Sequence, residues 1–249
     1  HALTKMSHLH FVTCQVYADR VVQMGEEPWR VFNFGSPGLD RLRNYVPASR
    51  EALCTSLGLD PQRPFLLATF HPVTVEPAAQ DSQVDSWLSA LERSGLAVVA
   101  TYPNADAGSD RIAAALKDFA VRVGERVRLI RNAGAQTYFD LMTHAAAMVG
   151  NSSSGIGEAP SFELPVVNIG SRQEGAVKAQ NVIDTGYDAD GIVAAIGRAT
   201  SAEFRAALRG IPSPYGEGGA AARIVATLRD IPLDDRLLRK KFIDLPLRA

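Results

Sequence analysis

A chain of 249 residues has ample material for a hydrophobic core and accommodates one large domain or one and a half smaller ones. Its 26 basic and 27 acidic side chains leave a formal charge of -1, a balance that creates no field to draw nucleic acid or an anionic membrane, so neither is expected as a partner. Cys14 and Cys54 stand far apart without CxxC or Cys/His spacing, which argues against a zinc site or a disulfide framework, and no apolar run approaches the roughly 20 residues that span a bilayer; the expected setting is a reducing cytoplasm, with no metal.

Residues 8–13 read as a strand and residues 15–24 as a helix with Val16, Val21 and Val22 on its inner face. His8 and His10 fall on one face of that strand, but no third ligand stands near, so they read as polar strand positions. Lys5 reads as a surface or interdomain cation. A short strand at 29–34 ends in Gly35-Ser36-Pro37-Gly38, a tight turn and a plausible interdomain linker. A helix at 49–57, capped by Ser49 and stopped by Gly58, leads to an almost unbroken apolar strand at 64–70. His71 follows at its carboxyl end, where it either faces a ligand or caps the turn.

The pattern then repeats, with helices at 82–94, 110–123 and 136–144 and strands at 97–101 and 127–130. Alternation of this kind means a mainly parallel sheet with right-handed crossovers. Each strand runs into a polar loop: Tyr102 to Asp106, Arg131-Asn132, and Asn151 onward. Loops on the carboxyl edge of an open α/β sheet describe a ligand crevice. Asn104 and Asp106 line it or close Asx turns. His144, near a helix end, reads as a dipole partner.

The stretch 150–175 carries the most information. Apolar runs at 145–149 and 166–169 flank Asn151, Ser152, Ser153, Ser154 and Gly155, so the segment reads as strand, polar turn, helix, strand. Hydroxyls and free backbone N–H groups at such a helix start suit a phosphate. Glu158, one turn in, is placed to accept from a ribose diol. An ordinary serine cap with a solvated glutamate is the competing reading. Asn181 to Asp184 follows, then helices at 190–198, 202–208 and 219–230, and a closing tail.

The segment GNSSSGIGEAPSFELPVVNIGSRQ resembles the signature of the hydrolysing UDP-N-acetylglucosamine 2-epimerases, bacterial sialic-acid-pathway enzymes and their animal relatives. HALTKMSHLHF at the start, FGSPGLD at 34–40, HPVTVE at 71–76, PSPYGEG at 212–218 and the closing KKFID match that family in order. The resemblance implies an α/β fold: a Rossmann-like parallel sheet forming the C-terminal half of a two-domain GT-B-type architecture. In those terms residues 1–34 are the remnant of an N-terminal domain plus linker, 35–230 the nucleotide-sugar domain, and 231–249 a tail packing toward the N-terminal domain and complete at its carboxyl end.

The resemblance also implies a reaction. UDP leaves UDP-N-acetylglucosamine by elimination across C1 and C2, and water adds to the glycal to give N-acetylmannosamine, with no cofactor and in a homodimer. Carried onto this sequence, His71 acts as donor or general acid toward the diphosphate; Ser152, Ser153, Gly155, Arg172 and Asn132 sit on the nucleotide side; and Glu158 holds the ribose. The family's catalytic carboxylates lie in the N-terminal domain, so the chain is expected to be inactive alone. Where most members read RQ-x-GR-x-R, this chain has Ala176 and Lys178, which bears on the sugar, nucleotide or interdomain contact. A glycosyltransferase of the same architecture and a non-catalytic nucleotide-sugar-binding module are the rival classes.

Overall fold

The computed structural model describes residues 1–73 and 80–244. The chain divides into two units, residues 1–45 with 213–249, and residues 46–212. The boundaries expected from sequence fall instead after residues 34 and 230. Within the first unit, Ser36 N–H donates to the Tyr215 carbonyl at 2.8 Å. The Asp40 carboxylate caps helix Ala220–Asp230 by accepting from Ala220 and Ala221 N–H, each at 2.8 Å. Those bonds tie residues 35–45 to residues 213–230.

In this unit β1 (His10–Val12) and β2 (Val31–Asn33) pair in parallel, joined through helix Gln15–Gln23. The helix buries Ala18, whereas Val16, expected inward, is 42% exposed. With only nine residues, the helix covers its short sheet with its middle turn. His10 Nε2 lies 2.9 Å from the buried Glu26 carboxylate, which also pairs with Lys5 at 2.8 Å and Lys240 at 2.7 Å. Burial opposes ionisation of Glu26, but the bonds from Lys240, Lys5 and His10 outweigh it and bring its pKa down to about 2. Lys5 is thereby a partner inside its own unit.

In the second unit six strands form one parallel sheet: β3 (Phe65–Thr69), β4 (Ala97–Thr101), β5 (Val127–Ile130), β6 (Ala147–Gly150), β7 (Val166–Ile169) and β8 (Val182–Thr185). Their order is β5-β4-β3-β6-β7-β8. The five strands expected from the apolar runs are all present, parallel and in one sheet. The edge strand β8 adds a sixth, at the Asn181 to Asp184 segment. Alternate residues of β3 face opposite sides. Leu66, Ala68 and Phe70 join a buried cluster with Trp87, Leu91, Ile112, Leu116 and Ile192 from helices Gln80–Arg93, Ser109–Val123 and Ala189–Ala199. Burying the Trp87 ring against Phe70, centroids 5.2 Å apart, removes large apolar area from water, where burial stabilises by roughly 25 cal/mol per Å². Ser49 caps helix Arg50–Leu57 by accepting from Ala52 N–H, and Gly58 ends it in the left-handed conformation, as expected.

One local expectation fails. The helix after the serine turn is a single turn, Ser154–Gly157, followed by a 3-10 turn, Ala159–Phe162. Gly155 and Gly157 are poor helix formers and Pro160 donates no backbone hydrogen bond, so propagation stops. A macrodipole of one turn adds little, and local donors must carry any anion affinity.

Candidate active site

The strand order determines where a site can form. From β3 the chain builds outward through β4 to β5, then returns to lay β6 beside β3 and builds the other way through β7 to β8. Between β3 and β6 the connections part, which is the switch point where open α/β sheets bind ligands. Register brings the loops level there, because Thr69 is the partner of both Thr101 and Gly150. Gly150 has φ of +148°, and a Cβ on it would run into the Thr69 carbonyl. Close approach of the two strand ends therefore requires glycine.

Asn151 staples the loops together. Its carboxamide accepts from His71 N–H at 2.7 Å and donates to the His71 carbonyl at 2.9 Å. Its own N–H reaches the Thr69 carbonyl at 3.1 Å. Its carbonyl accepts from Arg172 Nη1 at 3.1 Å and Gln173 Nε2 at 3.0 Å. This wholly buried residue thus joins the loop after β3 through its side chain and backbone N–H, and the turn after β7 through its backbone carbonyl. From sequence Asn151 was one polar residue in a turn; its position directly after a buried strand was the available signal.

His71 is buried, and its Nδ1 accepts from Asn104 N–H at 3.1 Å. The neutral ring therefore carries its proton on Nε2. Burial, reinforced by the Arg172 charge and opposed by Asp106, lowers its pKa to about 4. At neutral pH the ring is an uncharged donor. The Tyr102 to Asp106 loop reaches this crevice through the Asn104 backbone.

Ser152 is buried and accepts from Ser154 N–H at 3.3 Å, while Ser153 is exposed and its hydroxyl caps nothing. Gly155 packs so closely on β7 that a Cβ would lie 2.8 Å from Val166 Cγ1. Glu158 is half-buried; burial raises its pKa, and the opposing influence is a hydrogen bond to its own backbone. Asn132 stands apart from this group. It follows the edge strand β5, two strand spacings or about 10 Å from β3, and its Oδ1 closes a turn by accepting from Gly134 N–H at 2.9 Å. Glu76, at the end of the HPVTVE segment, lies outside the described residues.

Sequence reasoning missed Tyr138. It sits on helix Gly134–His144, and burial, with the nearby Glu158 charge, raises its pKa against the opposing influence of the Ser154, Thr69 and Ser152 hydroxyls. Its place in the helix reads only as an apolar-face aromatic. His144, read as a dipole partner, bonds the Ala48 carbonyl at 2.7 Å through Nε2.

A doubly wound, Rossmann-like parallel sheet with donors and a cation gathered at its switch point is the class that fold and site define. Within that class the chain belongs to the UDP-N-acetylglucosamine 2-epimerase family, whose model matches residues 1–229. It is 35% identical over 98% of its length to a GDP/UDP-N,N'-diacetylbacillosamine 2-epimerase (hydrolyzing) from Campylobacter jejuni, and 32% identical over 96% to a UDP-N,N'-diacetylbacillosamine 2-epimerase (hydrolyzing) from Legionella pneumophila. The chain spans 64% and 62% of those two relatives. Among solved structures, it resembles Neisseria meningitidis UDP-GlcNAc 2-epimerase bound to UDP-GlcNAc, with TM-score 0.75 and 19% identity over 92% of this chain and 63% of that one. A Methanocaldococcus jannaschii UDP-GlcNAc 2-epimerase in complex with UDP-GlcNAc and UDP matches with TM-score 0.67 and 18% identity, over 90% and 62%. These likenesses establish the fold, and the expected GT-B-type α/β class is borne out.

Proposed function

We propose that the chain is the UDP-binding part of a hydrolysing UDP-sugar 2-epimerase, which eliminates UDP across C1 and C2 of the sugar and hydrates the glycal to the 2-epimer. The observation that carries this reading is the Asn151-stapled group at the β3/β6 switch point, which holds a neutral histidine donor, serine hydroxyls and Arg172 at one crevice. In the elimination, the C1–oxygen bond breaks and the diphosphate takes its electron pair. Ser152, Ser153 and Arg172 hold that diphosphate. His71 Nε2–H donates to it, and the bond strengthens as charge develops. Gly155 lets the serine turn seat on β7. Glu158, a half-buried carboxylate, accepts from the ribose diol. Removal of the C2 proton and activation of water fall to carboxylates that the family carries on its N-terminal domain.

UDP-N-acetylglucosamine is the substrate the family description favours, and the Campylobacter and Legionella relatives favour a UDP-linked diacetamido sugar. Cytoplasmic residence is supported by two free, buried cysteines, and a homodimer by the family resemblance. Calorimetry on the 249-residue chain is expected to show UDP binding that Arg172→Ala weakens, with no UDP release from either UDP-sugar. Absence of UDP binding, or turnover by this chain at the rate of an intact family member, would overturn the reading.

A further inference from the structure

The turn after β7 carries Arg172, the cation assigned to the diphosphate, and the fold holds that turn from two sides. On the β6 side, Arg172 Nη1 and Gln173 Nε2 both donate to the Asn151 carbonyl. On the β8 side, Gly170 N–H donates to the Thr185 carbonyl at 2.9 Å, which carries the β7–β8 ladder one residue past the end of β7. Two residues after Thr185, Tyr187 comes back over the turn. Gly170 has φ of +71°, and a Cβ on it would run into the Tyr187 ring, so that ring lies directly against the backbone there. The Tyr187 hydroxyl oxygen accepts from Ser171 N–H at 3.4 Å, immediately before Arg172.

Tyr187 is itself fixed from both ends. Thr185 before it pairs with Ile169 in the sheet, and Asp188 after it caps helix Ala189–Ala199 by accepting from Gly191 N–H at 2.8 Å. Its half-buried ring packs against the buried cluster that contains Ile192. A tyrosine covering the end of an edge strand is by itself ordinary packing. Here, however, the ring rests on the core while the hydroxyl meets the peptide that precedes Arg172. A bond of 3.4 Å is long and contributes little, so most of the constraint comes from the ring filling the space beside Gly170. Arg172 gives one of its five N–H donors to the Asn151 carbonyl, and a turn already in place spares an arriving anion the cost of ordering the others.

We propose that Tyr187 is a positioning residue for diphosphate binding, which acts on Arg172 through the Gly170–Ser171 backbone. This rests on the UDP-binding reading of the site. Because Arg172 meets phosphate, loss of the Tyr187 ring weakens the diphosphate contact and leaves nucleoside contacts alone.

The test measures UDP and uridine affinities of the 249-residue chain by calorimetry and ligand-observed NMR, for wild type, Tyr187→Leu, Tyr187→Phe, Arg172→Ala and the two double variants with Arg172→Ala. The expected result is a roughly tenfold loss for UDP in Tyr187→Leu, the size of one weakened charge-assisted contact, with uridine affinity unchanged. Tyr187→Phe keeps the ring and loses only about twofold. In the Arg172→Ala background neither Tyr187 substitution costs anything further, because the group it positions is gone. Losses that persist in that background, equal losses for UDP and uridine, or unchanged UDP affinity in Tyr187→Leu would each overturn the proposal. Should Tyr187→Leu fold poorly, the same cycle with the nearly isosteric Tyr187→Phe decides between the outcomes. Wild type that binds neither ligand, or Arg172→Ala that binds UDP as well as wild type, refutes the UDP-binding reading itself, and this proposal with it, before Tyr187 is compared.

Discussion

Replacing His71 by asparagine is expected to make the protein less sensitive to acid. Asparagine places Oδ1 close to where Nδ1 accepts from Asn104 N–H, so the loop contact survives while the titrating ring is gone. In the folded chain burial first, then the Arg172 charge, holds the His71 pKa at about 4, against 6.5 when unfolded. As pH falls, the unfolded chain takes up the proton first. The stability linked to His71 is therefore complete above pH 6.5 and is lost as pH falls from there to the folded value of about 4. Linkage makes the loss about 2 kcal/mol at pH 5 and about 3 kcal/mol at pH 4. Urea unfolding at pH 7 and pH 5 should show wild type losing about 2 kcal/mol more than His71→Asn over that interval. Parallel stability curves, or an NMR titration placing the His71 ring near its unperturbed value, would refute the argument that burial governs this ring.

In an intact enzyme, Glu158→Ala should chiefly raise KM, since a ribose contact is equal in ground and transition states, whereas His71→Asn should lower kcat by about 10² to 10³ with less effect on UDP affinity. Steady-state kinetics with UDP calorimetry separate these, and an unchanged kcat in His71→Asn makes His71 a ground-state ligand. Gly155→Ala should cost about 1 to 3 kcal/mol, because its methyl meets Val166 Cγ1 at 2.8 Å, and Val166→Ala should recover part of that in urea unfolding; no recovery would place the strain elsewhere.

The sheet was legible because each central strand is buried on both faces and so reads as a continuous apolar run, as at Phe65 to Thr69. β8 was not read as a strand because it lies at the edge, where exposed Asp184 breaks the run. The serine turn was legible as a turn but not in its geometry. Hydroxyls suggested a capped helix, whereas Gly155, Gly157 and Pro160 in the following residues permit only one α-helical turn. His71 could be singled out because a strand end fixes where it emerges. Asn151 could not, because its importance comes from partners brought close by the β3–β6 pairing, with loops between them that sequence separation conceals. Asn132 follows the edge strand β5, and its Oδ1 is engaged locally by the Gly134 N–H.

The departures at Ala176 and Lys178 take on a different sense in the folded chain. Lys178 Nζ lies 2.8 Å from Asp184 Oδ1, which also accepts from Asn168 Nδ2 at 2.7 Å, so this cation ties the segment to the β7–β8 edge. Charge at the switch point comes instead from Arg172, which spends one N–H on the Asn151 carbonyl and has others to offer. The same guanidinium discourages protonation of His71. These two effects belong together. A protonated His71 would add a buried charge beside the half-buried Arg172 before any anion arrives, at a desolvation cost the fold would carry in the empty state. Kept neutral and held by Asn104, the ring costs little while empty, and its Nε2–H gains strength only as a neighbouring oxygen becomes more negative. On the proposed UDP-binding reading, that order suits the site: one fixed cation for capture, and directed neutral donors whose contribution would grow as the diphosphate leaves.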